Sequence, residues 1–247
     1  VDVYSIQIAG VSYANLSEAG LEFLNEMAED GKVRVLTTLN PAGMDRENWQ
    51  ALGIDEEFAK NQIRVIDAFA KMGIITTCSC TPYLIGNVPH FGQHIAWAES
   101  SAVCYANSVI GARTNREGGP SALASALTGK TPKYGYHLDE NRHGQVLVKV
   151  GAQVKGTDGF GVLGKAIGDR LIKLGKNIPF IVGIPSASVE ELKSFCGSVS
   201  TYGGAPLFHM EGITPECDNY PKPSGNVFEI NQKNIEKARS ELVDAGI

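Results

Sequence analysis

The residues best suited to chemistry are concentrated between positions 78 and 119. The first group is the pair Cys78 and Cys80, which follows a β-branched run, Ile74-Ile75-Thr76-Thr77. Side chains two positions apart on a strand share a face, so both thiols could reach one metal ion. Open α/β sheets bind ligands beyond the carboxyl ends of their strands. The spacing therefore predicts a thiol site at such an end, although a cysteine in this position could equally pack in a core.

The second group is the glycine-bounded segment Gly111–Gly119, which reads Gly-Ala-Arg-Thr-Asn-Arg-Glu-Gly-Gly. Guanidinium groups bind carboxylates and phosphates through paired hydrogen bonds, so Arg113 and Arg116 predict an anion-binding loop. The alternative is an internal ion pair of either arginine with Glu117. Asn107 precedes this loop on a predicted helix of small residues, and an amide is costly to bury without a partner. We therefore expect Asn107 to face a polar site.

Two further patterns have structural explanations that we prefer. His90, His94 and His209 lack the close spacing of metal ligands, and we interpret them as structural histidines. Gly159-Phe-Gly161-Val-Leu-Gly164 lies between a predicted strand and a predicted helix, which is the context of a dinucleotide-binding loop. However, no acidic residue ends the following strand. Close packing of the helix on a strand is then sufficient to explain these glycines.

Hydrophobic periodicity indicates which elements carry these groups. In the first half, alternation over Val1–Ala9 and a β-branched run at Val33–Leu39 predict strands, and Ile74–Thr77 predicts a buried one. Amphipathic patterns predict helices from Ser17 and over Asp55–Met72. In the second half, the pattern alternates between strands and helices: Gln145–Val150, Gly161–Leu174, Phe180–Ile184, Ser188–Tyr202 and Ala205–Met210. Such a βαβαβ series predicts a parallel sheet with flanking helices, an α/β fold.

The predicted organisation has three parts. Residues 1–125 form a lobe that contains the cysteines and arginines, residues 140–225 form the βαβαβ lobe, and residues 226–247 begin a further element. The Gly/Pro/Lys-rich stretch 120–140 is the predicted boundary. The first residues lie inside a strand pattern and the last helix has nothing to pair against. We therefore expect a fold that is truncated at both ends.

Composition limits the classes of function. The 247 residues are 43% apolar and 20% charged, as in an ordinary globular protein. A net charge of -5 argues against a nucleic-acid-binding surface, which needs a basic face. No run of about 18 apolar residues predicts a membrane span. The five cysteines are an odd number, which predicts reduced thiols in a cytoplasmic protein.

Four strings of residues resemble the catalytic, large part of the aconitase X family. They are Val11-Ser12-Tyr13, Cys80-Thr-Pro-Tyr-Leu84, Ala106–Gly119 and Phe208-His-Met-Glu-Gly-Ile-Thr-Pro-Glu216. The long string Ala106–Gly119 is highly specific, and all four occur in the family's order. The resemblance extends over essentially the whole sequence. It implies aconitase-like parallel-sheet domains with flanking helices, within a family whose large part is longer at both ends.

The resemblance implies a lyase of the aconitase superfamily, which removes water from a hydroxy acid with an iron centre acting on the departing hydroxyl. The cofactor would be an iron–sulfur cluster or a mononuclear iron. The residues of these strings are more similar to those of the archaeal branch of the family. That branch dehydrates mevalonate 5-phosphate in isoprenoid biosynthesis and has a separate small, swivelling subunit. The alternatives are the cis-3-hydroxy-L-proline dehydratase branch and a non-catalytic subunit that keeps the fold.

The resemblance also assigns roles to individual residues. Cys80 is the implied iron ligand, and Cys104 is a second candidate that could instead be a packed apolar position. Arg113, Asn115 and Arg116 would bind the substrate anion, together with Glu117. Ser12 and Asn107 would hydrogen-bond the substrate's hydroxyl or carboxylate. We expect no catalytic base among these residues, because the family's proposed serine base lies on the small domain.

Overall fold

The computed structural model describes residues 1–246, which form two compact units. The first unit consists of Val1–Pro89, Gln93–Glu99 and Arg116–Lys133, and the second of His90–Gly92, Ser100–Asn115 and Tyr134–Ile247. The predicted boundary at 120–140 is therefore too simple, because residues 100–115 already belong to the second unit. Among the described residues, no helix is both long and apolar enough to cross a membrane.

Residues 1–246 form seven strands and seven α-helices. In chain order they are β1 (Ser5–Ile8), α1 (Tyr13–Asp30), β2 (Leu36–Leu39), α2 (Glu56–Lys71), β3 (Ala96–Trp97), α3 (Ser100–Tyr105), α4 (Gly119–Thr128), β4 (Val146–Val150), α5 (Gly156–Leu174), β5 (Pro179–Val182), α6 (Val189–Gly203), β6 (His209–Met210), β7 (Asn226–Ile230) and α7 (Gln232–Asp244). A π-helical stretch, Ala106–Ile110, continues α3.

The first unit is built on a three-stranded parallel sheet of order β2-β1-β3. The central strand β1 is buried on both faces, as expected for a parallel sheet covered by helices. Helix α1 begins earlier than predicted, since Ser12 rather than Ser17 is its N-cap. Ser17 has a positive φ of 53° and marks a kink inside the helix. Helix α2 begins after Asp55, whose side chain accepts a hydrogen bond from the Phe58 amide.

The predicted strand Ile74–Thr77 is wrong. Only Ile75 forms a bridge, to Thr38 on β2, and its side chain is 52% exposed. The chain then leaves the sheet at Cys78, which has a left-handed φ of 48°. A β-branched run predicts extended backbone, but a residue with this φ cannot continue the ladder.

The second unit contains a four-stranded parallel sheet of order β6-β5-β4-β7, which confirms the βαβαβ prediction. The tail does not begin a separate element, as was predicted for 226–247. Instead β7 pairs with β4 over its full length, from Val146↔Asn226 to Val150↔Ile230. Helix α7 packs against α5. The residues that follow the last predicted strand thus complete this sheet.

The glycines of α5 allow it to approach α6 very closely. A Cβ atom added to Gly164 would lie 2.7 Å from the Ser198 Cβ and 2.9 Å from the Val199 nitrogen. One added to Gly168 would lie 2.7 Å from the Gly203 nitrogen. Close packing was the preferred explanation of this glycine pattern, but the partner is a helix and not a strand.

Candidate functional site

The carboxyl ends of β1, β2 and β3 are joined by a network of polar side chains. Gln7, at 0% exposure, donates from Nε2 to Asn40 Oδ1 at 2.8 Å. Asn40 Nδ2 donates to Glu99 Oε2 at 3.1 Å, and the Glu99 amide donates to Gln7 Oε1 at 2.9 Å. Gln7 is the penultimate residue of β1, Asn40 directly follows β2, and Glu99 lies two residues after β3. The network therefore fixes this edge of the sheet, where an α/β fold places its ligands.

The predicted thiol segment is attached to the same edge. The Ser79 amide donates to the Leu39 carbonyl at 3.1 Å, and Thr77 Oγ1 donates to the same carbonyl at 2.9 Å. Leu39 is the last residue of β2. These bonds hold the residues around Cys78 and Cys80 at the strand end, with Cys80 exposed and Cys78 partly exposed.

Ser12 lies shortly after β1, at the start of α1. Its Oγ accepts a hydrogen bond from the Ala14 amide at 3.3 Å, which makes it the N-cap of the helix. A cap serine already satisfies one of the free amides of the first turn. The hydroxyl hydrogen remains available to donate, so Ser12 keeps one donor for a ligand at this edge.

Glu117 is fixed at the end of β3. Its amide donates to the Trp97 carbonyl at 3.0 Å, and its Oε2 accepts from Ser121 Oγ at 2.6 Å, in the first turn of α4. The other carboxylate oxygen, Oε1, is buried and has no hydrogen-bond partner within residues 1–246. A buried carboxylate oxygen without a donor is costly. It marks a position where a donor from a ligand would be stabilising.

Arg116 is exposed and its backbone bridges to Trp97 of β3. Across the described part of the chain it forms no ion pair, and Glu117 is not its partner. The alternative prediction, an internal pair of an arginine with Glu117, is therefore wrong for this residue. Arg116 offers an uncompensated cation at the strand edge.

Asn87 supports the same sheet from the start of β1. Its Oδ1 accepts from Ser5 Oγ at 2.5 Å, and its Nδ2 donates to the Ile6 carbonyl at 3.1 Å and to Thr38 Oγ1 at 2.9 Å. Trp97 Nε1 donates to the same Ser5 Oγ at 2.8 Å. This buried network ties the segment after the cysteines to β1, β2 and β3.

The second unit contains a different cluster, centred on a buried ion pair. Arg142 is 0% exposed, and its Nε donates to Glu216 Oε2 at 3.0 Å. Glu216 is 2% exposed and also accepts from the Arg142 Nη2 group. The Glu216 Oε1 atom lies 3.5 Å from the Nη2 atom of Arg113. One buried carboxylate thus contacts two arginines.

Arg113 completes this cluster as an ion-pair residue. Its Nη2 lies 2.5 Å from Asp139 Oδ1, and its side chain is 17% exposed. The hydrogen bond from Arg113 holds the pKa of the Asp139 carboxyl below its usual value. The partners of Arg113 are therefore Asp139 and Glu216, and not Glu117, which the alternative interpretation had named. The guanidinium is already paired with carboxylates, so an anionic ligand would compete with Asp139, whose side chain is 74% exposed.

Asn107 and Asn115 are held by protein partners. The Asn107 amide donates to the carbonyls of Thr114 at 2.9 Å and Pro206 at 3.0 Å, and its oxygen accepts from the Thr114 amide at 3.0 Å. Asn115 accepts from the Tyr136 amide at 2.9 Å. Asn107 has the polar partners that a buried amide needs, but all of them are protein groups, since the residue is 0% exposed and its amide is fully hydrogen-bonded.

The cysteines do not form a complete metal site. Cys104 is fully buried and hydrogen-bonded to Cys196, whose thiol pKa is raised by burial. This is the packed position that the sequence had left open for Cys104. Nowhere in residues 1–246 do three or more His, Cys, Asp or Glu side chains group as metal ligands do. The exposed thiol of Cys80 suits one ligand of an iron centre, but the described residues do not supply a full set.

His209 has the structural role that was predicted. It is 0% exposed, its Nε2 lies 2.7 Å from the Arg142 carbonyl, and its ring packs against Phe180 and Tyr220. Burial lowers its pKa, so the neutral form is favoured. The neutral ring donates from Nε2 to the carbonyl.

Several residues of these clusters could not be identified from the sequence. Gln7, Asn40 and Arg142 stand in no recognisable motif, and their partners are 33 to 92 positions away in the hydrogen bonds described above. Glu99 precedes a string of small residues, and Glu216 ends the string Phe208–Glu216. Nothing local marks either carboxylate as the partner of a particular side chain.

Known proteins match the chain along nearly all of its length. Residues 1–140 match the aconitase X first domain, and residues 144–241 match the aconitase X second domain. The phosphomevalonate dehydratase large subunit of Methanocaldococcus jannaschii is 50% identical over 96% of this chain and 58% of its own length. That of Methanothermobacter thermautotrophicus is 47% identical over 98% of this chain and 60% of its own.

A more distant relative and one solved structure also match the chain over nearly its whole length. The cis-3-hydroxy-L-proline dehydratase of Pseudomonas aeruginosa is 32% identical over 100% of this chain and 43% of its own length. The crystal structure of Thermococcus kodakaraensis aconitase X in its holo-form matches with a TM-score of 0.87 and 43% identity, over 98% of this chain and 60% of that one. This chain thus spans about three fifths of the length of its archaeal relatives. The two matched domains together span residues 1–140 and 144–241, and the chain belongs to the aconitase X family.

Proposed function

We propose that this chain is part of a hydro-lyase that removes water from mevalonate 5-phosphate. The observation that carries the proposal is the identity of 47–50% to phosphomevalonate dehydratase large subunits over 96–98% of the chain. Identity to cis-3-hydroxy-L-proline dehydratases is lower, at 32–36%. That second activity is the alternative, and a direct assay separates the two.

The carboxyl edge of the first-unit sheet has several of the groups that a dehydration needs. Elimination of water requires a base for the carbon-bound proton, an acid or metal for the departing oxygen, and groups that bind the substrate's anions. The base would come from the small subunit. Arg116 is exposed and forms no ion pair with any of residues 1–246, and we propose that it binds the substrate's phosphate or carboxylate. The buried Glu117 Oε1 has no donor among the residues that the structure describes, and we propose that it accepts a hydrogen bond from the substrate. The Ser12 hydroxyl would donate to a substrate oxygen.

We propose Cys80 as a ligand of the iron centre. A thiolate is the usual protein ligand of an iron–sulfur cluster, and the thiol is exposed at the same strand edge as Ser12 and Glu117. The remaining ligands would come from groups other than the described residues, since these make no complete set. An iron centre would supply a Lewis acid for the departing hydroxyl.

In the second unit, we propose that Arg113 binds an anionic group of the substrate in exchange for Asp139. The two Arg113 partners differ in exposure: Glu216 is buried at 2%, and Asp139 is exposed at 74%. An exposed ion pair contributes little, so its replacement by a bound anion costs little. Asn115 would orient the end of the segment 106–115, which contains Arg113, and Asn107 would orient the interior of that segment.

The relatives named as large subunits support a further proposal, that a small subunit of the same enzyme is the partner. The full-length chain together with that subunit should be assayed on mevalonate 5-phosphate and on cis-3-hydroxy-L-proline. We expect turnover of the first compound only. Turnover of cis-3-hydroxy-L-proline alone would establish the alternative, and turnover of neither would contradict the proposal.

Arg116→Gln tests the proposed anion contact within the same assay. Loss of the cation should raise KM for mevalonate 5-phosphate at least tenfold, since a guanidinium-to-anion contact is charge-assisted. The matched control is Arg64→Gln, an arginine on α2 with a 51% exposed side chain. The control should keep the KM of the unaltered protein. Equal effects of the two substitutions would contradict the role of Arg116.

A further inference from the structure

Arg142 and Glu216 have no part of their own in the proposed reaction, yet Arg142 is fully buried and its guanidinium is bonded through all three nitrogen atoms. Its Nη1 donates to Asn107 Oδ1 at 3.2 Å and to the Tyr136 carbonyl at 3.0 Å. Its Nη2 donates to the carbonyls of Asn107 at 3.0 Å and Ala112 at 3.2 Å. With the two bonds to Glu216, all five N–H groups of the guanidinium have acceptors.

These acceptors lie on both sides of one turn. Asn107 is in the π-helical stretch Ala106–Ile110, and Ala112 follows the left-handed Gly111, which has a φ of 75°. The side chain of Asn107 closes the same turn by bonding the amide and the carbonyl of Thr114. The segment 106–114 is therefore held at its start and near its end by one guanidinium. Arg113 directly follows the second of these points, Ala112.

Glu216 adds a direct connection between the two arginines. One of its oxygens is bonded to Arg142 and the other lies 3.5 Å from Arg113. A carboxylate that is 2% exposed and fixed by a fully buried cation has little freedom to move. It restricts where the guanidinium of Arg113 can lie. The exposed Asp139 could move away from Arg113, whereas Glu216 could not.

We propose that Arg142 and Glu216 are positioning residues, which hold the 106–115 segment and aim Arg113 at an anionic substrate. The consequence for binding rests on the proposed function of Arg113, but the consequence for the segment does not. A misplacement of about 1 Å can cost on the order of a hundredfold in rate, so a cluster that fixes one cation is sufficient to affect specificity.

The test separates positioning from stability. Removal of one member of a buried ion pair is destabilising, since it leaves an uncompensated charge, whereas replacement of both by apolar residues of similar size is often neutral. Arg142→Met and Glu216→Leu should therefore each lower Tm in the full-length chain with its partner subunit. The double variant should recover part of the lost Tm, since the carbonyls that Arg142 bonds remain without this donor, but it should not recover the binding. We expect its KM for mevalonate 5-phosphate to stay at least tenfold above that of the unaltered enzyme, with a smaller change in kcat.

A second measurement does not depend on activity. Amide hydrogen exchange in residues 106–115 should be faster in the double variant than in the unaltered protein, because three acceptors of Arg142 lie in this segment. The control is Lys165→Met, which removes a 10% exposed cation paired with Asp169 and Glu241 in the same unit. It should lower Tm with no change in KM or in exchange of residues 106–115.

The outcomes are distinct. A double variant with normal exchange in 106–115 overturns the positioning role, whatever its activity. Faster exchange with normal KM also overturns the link to Arg113 and limits Arg142 to holding the backbone. Faster exchange in a protein whose unaltered form does not turn over mevalonate 5-phosphate supports the positioning of the segment and contradicts the proposed function.

Discussion

The close approach of α5 to α6 makes a quantitative prediction for Gly164→Ala. The new Cβ would lie 2.7 Å from the Ser198 Cβ, 2.9 Å from the Val199 nitrogen and 3.0 Å from the Phe195 oxygen. Carbon atoms pack at about 3.5–4.0 Å, so the helices would have to separate by roughly 1 Å. Two of the three obstacles are backbone atoms, which cannot turn away as a flexible side chain can.

The expected magnitude follows from two opposing effects. Overpacking of this kind costs about 1–3 kcal/mol, and the backbone obstacles place Gly164 near the upper end. The higher helix propensity of alanine than of glycine stabilises the folded protein by about 1 kcal/mol. The net loss is about 2 kcal/mol in the free energy of unfolding. For a chain of this size it corresponds to a fall in Tm of roughly 4–8 °C.

The matched control is Gly197→Ala on α6. An added Cβ there meets no atom within 4 Å and the φ is not positive, so only the propensity effect remains. Gly197→Ala should raise the free energy of unfolding by up to about 1 kcal/mol. Thermal and urea denaturation of both variants provide the measurement. If Gly164→Ala were as stable as Gly197→Ala, the close helix contact would not explain this glycine, and its place in a ligand-binding loop would have to be reconsidered.

Three further predictions concern single side chains. Cys80→Ser in the complete enzyme should remove bound iron and activity, whereas Cys196→Ser, at a fully buried position, should retain iron and lower Tm; metal analysis separates the two. Burial lowers the pKa of His209 below its ordinary value of about 6.5. Near and below that pH the unfolded chain therefore binds more protons at this residue than the folded protein does. The free energy of unfolding should then fall as the pH decreases from about 6.5. Denaturation midpoints between pH 7.5 and 5 should show this slope, and His209→Gln should reduce it. Gly135→Ala should cost about 2 kcal/mol, since its φ is 58° and the new Cβ would lie 2.1 Å from Asn115 Oδ1; an unchanged Tm would contradict this reading.

The parts of the fold that depend on local pattern could be predicted from the sequence. Helix α2 and the alternation from β4 to β6 have the apolar periodicity of their class, and the structure contains them within a few residues of the predicted bounds. Ile74–Thr77 shows the limit of that reasoning. Its composition is that of a strand, but the left-handed backbone at Cys78 ends the pairing after one bridge.

The candidate site was only partly predictable for a physical reason. Residue types indicated thiols and guanidinium groups, and the resemblance identified the strings that carry them. Which charge pairs with which is decided by contacts between distant segments, and 74 positions separate Arg142 from Glu216. A local pattern could not show that Arg113 has a buried carboxylate as its neighbour while Arg116 has none.

The second unit is discontinuous along the chain, and this affects how it can be produced. Helix α3 packs against α6, and Cys104 on α3 contacts Cys196 on α6. The intervening residues 116–133 belong to the first unit. During synthesis α3 leaves the ribosome well before α6 has been made. The apolar side of α3 therefore stays exposed until α6 is available to pack against it. A shortened chain that begins at residue 144, where the second-domain match starts, would lack α3 permanently. We expect such a chain to expose the Cys196 face of α6 and to aggregate.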